Sequence, residues 1–433
     1  MSSFNAFPVG WHVKEIKDAN ITIIDGDRGV NYPSKDEFVS NGYCLFLNTG
    51  NLKNDCFDFS TCDFITENKD ALLRKGKLRR KDIVLTTRGT VGSVGFFHNN
   101  ISYEHIRINS GMVVLRCAEG VSPDYSYHLF KSSLLKTQYS LYSSGAAQPQ
   151  LPIKDLKRIN LPIPPLDVQE KIAAILSAYD ELIENNQRRI ALLEKMAEEI
   201  YREWFVRLRF PGHEKVKKVK GVPEDWRIAE LKELAVVNPS SISLRDKPVV
   251  MLYVDISSVS TNQIEKTTSY AYSQAPSRAR RRVKHGDVIW SSVRPANRAY
   301  CLIYESPDNL IVSTGFAVIR PKTAIPFSFL FFAVTSNSFV DQMTTVAKGS
   351  AYPATSFDDF EKAKLLVPSD DLLKSFHEKV EPLFRQKNLF QQQCERLKHI
   401  RNLLLPRLIS GKLSVENLDI RFPPSMEEMS DEV

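Results

Sequence analysis

The sequence LPIPPLDVQEKIAAILSAYDELI, residues 161–183, joins an extended proline-rich segment to an amphipathic helix. The prolines at positions 162, 164 and 165 favour extended backbone, and the helical pattern begins where they end. Residues 167–210 contain neither glycine nor proline, and the stretch stops at Pro211-Gly212. About forty residues at 1.5 Å each predict a rod of about 60 Å, which is longer than a globular domain needs.

A second long helix is predicted over residues 371–405, and both helices have a seven-residue apolar period. The first series is Ile172, Tyr179, Asn186, Leu193 and Ile200, of which Asn186 is the polar member. The second series follows 204 residues later: Phe376, Leu383, Phe390, Leu397 and Leu404. Two such stripes in one chain predict a coiled coil, the alternative being two amphipathic helices that each lie on their own domain. Pro382 is expected to kink or break the second helix near its start.

The chain contains an internal repeat whose period is about half its length. Four matches occur in the same order, with offsets of 215, 207, 205 and 204 residues. They are Pro8-Val9-Gly10-Trp11 with Pro223-Glu224-Asp225-Trp226, residues 45–48 with 252–255, residues 81–85 with 286–290, and Gly145, Asp155 and Pro164 with Gly349, Asp359 and Pro368. A shrinking offset is typical of surface loops that vary while strands and helices keep their lengths. We therefore predict two copies of one unit.

Each copy combines short strands with short helices, which is an α+β pattern. Runs of β-branched or aromatic residues predict strands at 81–85, 112–116, 249–254, 287–290 and 310–320. Helical patterns fall at 125–139 and 328–343. The predicted order is an α+β domain at 1–165, a long helix at 166–212, a second α+β domain at 213–366 and a long helix at 367–412. Residues 413–433 are acidic and are predicted to form a frayed tail.

Composition excludes several classes of protein. The chain has 433 residues with 58 Lys and Arg against 51 Asp and Glu, so its net charge of +7 permits an anionic partner without requiring one. The first ten residues lack the pattern of a signal peptide, and no apolar stretch approaches the roughly 20 residues that span a bilayer. Six cysteines without a C-x-x-C pair and eight histidines without paired spacing indicate no metal site. We expect a cytoplasmic protein with reduced thiols.

Motifs for catalysis are absent or weak. The Pro-Pro pairs at 164–165 and 423–424 lack the flanking residues of the base-holding loop of adenine methyltransferases. The segment RGTVGSVG, residues 88–95, is neither G-x-G-x-x-G nor a P-loop; it predicts a tight strand–turn–strand or a turn whose backbone contacts phosphate. Pro123-Asp124 with Asp155-Leu156-Lys157 fits a nuclease pattern only loosely. We therefore expect no catalytic residue and no metal ligand in this chain.

Positive charge is concentrated at the same place in both copies. Basic segment 1, residues 74–81, holds six cations: Arg74, Lys75, Lys77, Arg79, Arg80 and Lys81. Basic segment 2, residues 278–284, holds five: Arg278, Arg280, Arg281, Arg282 and Lys284. Two matched basic segments predict contacts with a phosphate backbone, the alternative being two solvated loops. Arg88 and Arg294 follow the matched strands, where they would either read guanine edges or form surface salt bridges.

The whole pattern resembles the specificity subunits of type I restriction–modification enzymes over residues 8–413. The resemblance is strongest in the helices, at residues 161–183, EKMAEEIYREWFV at 194–206, residues 365–386 and LLLPRLISGKL at 403–413. It is looser in the α+β parts, at residues 45–52, 82–92 and 144–148. One departure is that the turn GAAQP at 145–149 is matched by GSAYP at 349–353, so a role for Gln148 does not carry over to the second copy.

This resemblance implies two target-recognition domains, each reading one half of a split site in double-stranded DNA. The long helices would form an antiparallel coiled coil that sets the spacer and docks two methylation subunits, with motor-nuclease subunits in the full complex. The chain would carry no chemistry and no cofactor, since S-adenosylmethionine, ATP and Mg²⁺ would belong to the partner subunits. The alternatives are a self-contained DNA methyltransferase or nuclease with an unrecognised site, and a coiled-coil scaffold.

Overall fold

The computed structural model describes residues 7–53, 55–145, 148–243, 247–350 and 352–426. The chain divides into two compact units: unit 1 comprises residues 1–185 and 393–433, and unit 2 comprises residues 186–392. Both dividing points fall inside long helices, the first spanning Leu166–Tyr201 and the second Asp370–Ile409. Each unit therefore contains one α+β part and a portion of both long helices.

A four-stranded antiparallel sheet forms the centre of each unit, and its strand order is the same in both. In unit 1 the strands, in spatial order, are Ile21–Asp25, Met112–Cys117, Ile83–Thr86 and Val94–Phe96. In unit 2 they are Ala235–Val237, Phe316–Pro321, Val288–Ser291 and Tyr300–Leu302. Met112 pairs with Thr86 where Phe316 pairs with Ser291, so the register is repeated as well as the order. The predicted internal repeat is confirmed.

A second sheet in each unit contains a parallel strand pair. Unit 1 has the strands Phe64–Ile65, Cys44–Leu47 and Ile106–Ile108. Unit 2 has Thr268–Ala271, Val250–Val254, Leu310–Ser313 and, at the edge, Ala279–Arg282. This extra edge strand is most of basic segment 2, whereas basic segment 1 forms no named strand in the described part of unit 1.

Two-stranded ribbons complete the β structure. In each α+β part a strand near the beginning pairs with the last strand, as His12–Glu15 with Asn160–Ile163 and Arg227–Glu230 with Lys364–Val367. Smaller ribbons join Leu52–Lys53 to Cys56–Phe57, Lys218–Val219 to Val222–Pro223, and Val259–Ser260 to Gln263–Ile264. The pairing of an early strand with the last strand closes each α+β part just before its long helix.

The two predicted short helices are each broken into two. Residues 125–139 belong to the helices Pro123–Lys131 and Ser133–Tyr142, and residues 328–343 to Phe327–Thr335 and Asn337–Val346. The breaks fall at Ser132 and Ser336, whose backbone is extended and whose hydroxyls accept hydrogen bonds from backbone N–H groups three residues later. A serine in this position caps a new helix rather than continuing the old one. Shorter helices span Glu67–Leu72, Ile153–Leu156, Leu231–Leu234 and Phe357–Lys362.

The predicted strand at 310–320 is also two elements, Leu310–Ser313 and Phe316–Pro321, which belong to different sheets. The chain turns between them at Gly315. A Cβ atom on Gly315 would lie 2.1 Å from the side chain of Ile256, so the close approach requires glycine. The interruption Ser313-Thr314-Gly315 was the available signal for this turn, because glycine within a strand pattern indicates a bend or a bulge.

The long helices differ in detail from the prediction. The first continues beyond Tyr201 as a π-helical turn, Arg202–Val206, and so ends before the predicted residue 210. Its last turn directs Trp204 and Phe205 into the core of unit 2. The second helix continues through Pro382, so of the predicted kink or break the break is wrong. Val380 and Phe384 are buried on either side of this proline, and their packing stabilises the helix despite the missing N–H group. Within the described residues no helix has the length and apolar character needed to cross a membrane.

In unit 1 the beginning of the first long helix packs against the end of the second. The Asp180 carboxylate accepts a hydrogen bond from the Arg401 guanidinium. Further along the first helix, the carbonyl oxygen of Ile183 lies 3.7 Å from Cys394 Sγ. Residue numbers therefore rise on one helix as they fall on the other, which is antiparallel pairing.

In unit 2 the end of the first long helix packs against the beginning of the second. Glu194 Oε1 lies 2.6 Å from Lys387 Nζ, and the ring of Tyr201 lies 6.1 Å from that of Phe376. The pairing is again antiparallel. Of the predicted seven-residue series, Ile172, Asn186 and Phe376 are buried and the others are partly buried: Tyr179, Leu193, Ile200, Leu383, Phe390, Leu397 and Leu404.

The predicted frayed tail is packed as far as it is described. Val415 is buried in the core of unit 1, and Leu413, Ile420 and Met426 pack against the same core. Lys171 Nζ, on the first long helix, donates to the Glu416 carbonyl oxygen at 2.6 Å. The acidic composition suggested fraying, but the four apolar side chains are enough to hold the segment on unit 1. Residues 427–433 lie outside the described residues.

Candidate nucleic-acid interface

A buried carboxylate lies beneath basic segment 1. Asp82 is only 1% exposed and accepts two hydrogen bonds from Arg116, from Nε at 2.8 Å and from Nη2 at 2.7 Å. The same carboxylate accepts the backbone N–H of Arg79 at 2.7 Å. The hydrogen bond to Asp82 raises the pKa of Arg116. A buried carboxylate needs such partners, and here they tie the basic segment to the central sheet.

Unit 2 repeats this arrangement at the equivalent positions. Asp287 is fully buried and binds Arg320 through Nε and Nη2, both at 2.7 Å. It also accepts the backbone N–H of Lys284 at 2.7 Å. Sequence comparison of the copies aligned Asp82 with Asp287 but assigned neither a role; the recurrence of arginine at 116 and 320 was the available signal. In each unit, therefore, the same kind of buried Asp–Arg pair holds the basic segment near its C-terminal end.

Two of the predicted contact residues in basic segment 1 are engaged within unit 1. Lys77 pairs with the buried carboxylate of Asp70. Arg80 donates to the carbonyl oxygens of residues 98, 101 and 103 at 3.1, 2.9 and 3.2 Å, and its guanidinium lies 4.2 Å from the centre of the Phe97 ring. Arg74, Lys75 and Arg79 have exposed side chains. Lys77 and Arg80 also keep exposed surface, so the cations of the segment differ in their partners within unit 1 and not in access to solvent.

Two of the four arginines of basic segment 2 lie against aromatic rings. Arg280 lies 5.6 Å from the Tyr272 ring centre and Arg281 lies 5.0 Å from that of Phe357. Burial lowers the pKa of Arg281, and among the described residues its Nε has no hydrogen-bond partner. Arg282 is half-buried, whereas Arg278 is exposed. Stacking fixes the direction of a guanidinium and leaves its N–H groups to donate elsewhere.

Arg88 and Arg294 lie next to matched turns but are not equivalent to one another. In unit 1 Arg88 bridges to Gln150, and in unit 2 the residue that bridges to the equivalent Ala354 is Val293. Arg294 follows Val293 as Gly89 follows Arg88, so Arg294 is equivalent to Gly89. Both residues have positive φ, 51° for Arg294 and 70° for Gly89. Both arginines are exposed, and Arg294 lies 4.7 Å from the ring centre of Tyr352, itself 70% exposed. Residues 146, 147 and 351 of these turns lie outside the described residues.

Comparison with known proteins identifies the family. Residues 8–195 match the Type I restriction modification DNA specificity domain. The chain is 26% identical to the MjaIX specificity subunit of Methanocaldococcus jannaschii, over 78% of each chain. It is 22% identical to the HindI specificity subunit of Haemophilus influenzae, over 90% of this chain and 98% of the relative. Residues 8–195 are therefore assigned to the type I specificity-domain family, and the similarity to whole specificity subunits extends over most of the chain.

A solved member of the specificity-subunit family has the same fold. The crystal structure of the Type-I restriction-modification system S subunit from M. genitalium superposes with a TM-score of 0.58 at 16% identity, covering 94% of this chain and 98% of the other. Specificity subunits are DNA-recognition subunits without catalysis, and this membership agrees with the weak catalytic motifs. Within the described residues no three His, Cys, Asp or Glu side chains cluster as metal ligands would.

The loosely fitting nuclease pattern falls on two separate helices. Asp124 is buried near the start of the helix Pro123–Lys131, and burial raises its pKa. Asp155 lies in the separate helix Ile153–Leu156 and pairs with Arg158 at 3.6 Å. Burial of Asp124 suits a structural role, because a metal-binding carboxylate must be ionised and accessible.

One feature of unit 1 was missed by sequence reasoning. Residues 25–31, with the sequence DGDRGVN, form a loop after the first sheet strand. Together with Leu72, Arg74 and Lys75 they line a cleft of about 530 Å³. The signal that could have found it is the close alternation of glycine with charged residues, which indicates a loop of special backbone conformation rather than a strand.

Proposed function

We propose that this chain gives a type I restriction–modification complex its DNA sequence, with unit 1 and unit 2 each reading one half of a split site. The observation that carries the proposal is the repeated anchor: Asp82 with Arg116, and Asp287 with Arg320, each hold a basic segment to a central sheet of the same order. Sheet order and anchor recur, whereas the exposed side chains differ. Such a pair suits two readers with a common frame and different target sequences.

The proposal also names the residues that would contact DNA. Arg74, Lys75, Arg79, Arg88, Arg278 and Arg294 are exposed and would contact phosphates or bases. Phosphate contacts fix the position of a protein on DNA, and base contacts give specificity. Lys77 and Arg80 would act through the shape of the segment, since their side chains are held within unit 1.

The long helices would set the spacer between the half-sites and dock two methylation subunits. Exposed apolar side chains on these helices support a partner surface: Leu182, Leu192, Met196, Leu389 and Leu403. Scattered exposed apolar residues are ordinary, but several on one pair of helices favour a protein interface. Motor-nuclease subunits would join the full complex, and S-adenosylmethionine, ATP and Mg²⁺ would be bound by the partner subunits. The domain limits 1–165, 166–212, 213–366 and 367–412 belong to the same proposal.

The decisive experiment is methylome sequencing of cells that express this chain with its methylation partner, and of cells that lack it. We expect a split adenine-methylated motif that disappears with the gene. Absence of any gene-dependent motif would contradict the proposal. Methylation or cleavage of DNA by the isolated chain, supplied with S-adenosylmethionine or Mg²⁺, would instead favour the self-contained enzyme.

A further inference from the structure

We infer that the cleft of unit 1, formed by the loop at residues 25–31 against Arg74 and Lys75, takes the edge of a base pair, and that Arg28 is a specificity-determining residue of that unit. This inference rests on the proposed function, because it names the part of unit 1 that reads sequence. The cleft has a volume of about 530 Å³ and is lined by residues 25–31 with Leu72, Arg74 and Lys75.

The backbone of the loop is fixed against the rest of unit 1. A Cβ on Gly26 would lie 2.2 Å from the carbonyl oxygen of Asn109, and a Cβ on Gly76 would lie 3.2 Å from Gly26 Cα. Only glycine allows the loop to approach both basic segment 1 and the backbone at Asn109 so closely. The loop therefore has one defined position relative to the basic segment.

Asp27 links the loop to basic segment 1. Its carboxylate, 8% exposed, accepts the backbone N–H of Gly29 at 2.8 Å and that of Arg74 at 2.7 Å. The hydrogen bond from Gly29 lowers the pKa of Asp27, so the carboxylate is ionised at neutral pH. With both oxygens engaged by backbone groups, Asp27 is a positioning residue for Arg28 and Arg74.

The hydrogen bonds that orient Arg28 engage only part of its guanidinium group. Its Nη2 lies 3.1 Å from Asp25 Oδ1 and 3.3 Å from the carbonyl oxygen of Ser110. Among the described residues these contacts leave Nη1 and Nε to donate to a ligand, and the side chain is 47% exposed. An arginine held in this way loses less conformational entropy on binding than an unconstrained one.

The mixture of groups in the cleft suits a base edge better than a phosphate. Arg28, Arg74 and Lys75 are donors, but Asp25 supplies a carboxylate and Asn31 an amide with both donor and acceptor atoms. A phosphate offers only acceptors and would be repelled by Asp25. The major-groove edge of a base pair presents donors and acceptors together, which this set can match.

Unit 2 has a different structure at the equivalent place. The strand Ala235–Val237 leads to residues whose backbone pairs directly with basic segment 2: Ser241 bridges to Arg281, and Ile242 N–H donates to the Arg280 carbonyl oxygen at 2.8 Å. Residues 244–246 lie outside the described residues. The base requirement that Arg28 imposes should therefore be confined to the half-site read by unit 1.

The test uses the complete modification complex with Arg28→Ala and Arg28→Lys. The motif is first defined by methylome sequencing with the unaltered chain, and binding is then measured on duplexes with each base pair of the motif replaced. We expect both variants to lose about tenfold or more of the discrimination at one base pair of one half-site, with the other half-site unchanged. Because Lys keeps the charge but not the planar fork, a loss in Arg28→Lys separates reading from charge and from misfolding.

Arg158→Ala is the matched control. Arg158 also pairs with an aspartate three residues earlier, in unit 1, and is 59% exposed, but it does not line the cleft. An unchanged motif in both Arg28 variants would overturn the inference. So would equal weakening on all duplexes with a shallower salt dependence, which is the signature of a phosphate contact. If the unaltered complex methylates no split motif, the proposed function fails, and that result is separate from any effect of Arg28.

Discussion

The two basic segments have the same anchor but present their charges differently. Beneath each one a buried aspartate binds an arginine from the neighbouring strand and a backbone N–H of the segment. Segment 1 is irregular and lies beside the loop at residues 25–31, whereas most of segment 2 is an edge strand with arginines against Tyr272 and Phe357. A common anchor with different exposed groups allows one fold to present two reading surfaces.

The largest effect should come from removing an anchor. Asp82→Ala leaves Arg116 and a backbone N–H of segment 1 without their acceptor, and Asp287→Ala does the same in unit 2. Each substitution should destabilise its own unit by about 3 kcal/mol. Hydrogen exchange on the intact chain would locate the loss, with Asp155→Ala as the control because that carboxylate has only a longer, local ion pair. An equal loss of protection in both units would contradict two separate anchors.

The next effect concerns acid stability, which should distinguish the units. His128 is buried in unit 1, and burial lowers its pKa to about 3, whereas the repeat places Phe332 at the equivalent position of unit 2. Unfolding restores the ordinary pKa of about 6.5, so the unfolded state binds a proton that the folded state does not, and stability falls as pH drops below 6.5. At pH 5 the loss should be about 2 kcal/mol.

The measurement is urea unfolding of wild type and His128→Gln at pH 7.5 and pH 5.0, followed by hydrogen exchange to identify the unit. The charged groups that face His128 are Asp180, which raises the pKa of His128, and Lys131 and Arg401, which lower it. Unit 2 contains His377, whose pKa is also lowered by burial but which is only partly enclosed, so its acid sensitivity should be smaller. Identical pH dependence in wild type and variant would contradict the assignment to His128.

A smaller effect separates exposed from engaged cations within segment 1. Replacing Arg74 and Lys75 together by alanine should weaken DNA binding by the complex about tenfold and make its salt dependence shallower, by about 1 in slope for each lost phosphate contact. Lys77→Ala should change stability instead, because Lys77 pairs with the buried Asp70. Equal effects of the two variants on the salt slope would mean that pairing within unit 1 does not distinguish Lys77 from Arg74 and Lys75.

The smallest effect tests the one-residue offset between Arg88 and Arg294. Arg294 has the positive φ that Gly89 has in unit 1, so Arg294→Gly removes backbone strain while it removes a contact with Tyr352. Because relief of strain stabilises unit 2 and loss of the contact destabilises it, the free energy of unfolding should stay within about 0.5 kcal/mol of wild type. Gly89→Ala, in contrast, should destabilise unit 1 by about 1 kcal/mol because alanine disfavours positive φ. Thermal unfolding of the intact chain measures both.

Sequence was sufficient for features that depend on local order along the chain. The repeat, the long helices and their seven-residue period follow from spacing, and the structure reproduces their order. The breaks at Ser132 and Ser336 were missed because a capping serine within an amphipathic pattern reads as an ordinary polar position. The packed tail was missed because its acidic residues outnumber the four apolar ones that hold it.

The site was harder to predict because its chemistry depends on residues far apart in sequence. Lys77 and Arg80 keep exposed surface, yet Lys77 pairs with Asp70 and Arg80 donates to the carbonyl oxygens of residues 98, 101 and 103. Asp82 lies 34 positions from Arg116 in sequence, and this spacing does not predict that the two side chains are in contact. The cleft around Arg28 combines two stretches that are far apart in sequence, residues 25–31 and 72–75, so only folding brings them together.

The division of the long helices has a consequence for synthesis on the ribosome. Unit 2 is one continuous stretch of chain, residues 186–392, whereas unit 1 needs residues 393–426 to complete its core. Leu408, Ile409 and Val415 are buried in that core but are translated after all of unit 2. Unit 1 is therefore the first to emerge and the last to be completed, and a chain truncated near residue 392 would contain all of unit 2 but lack part of the core of unit 1.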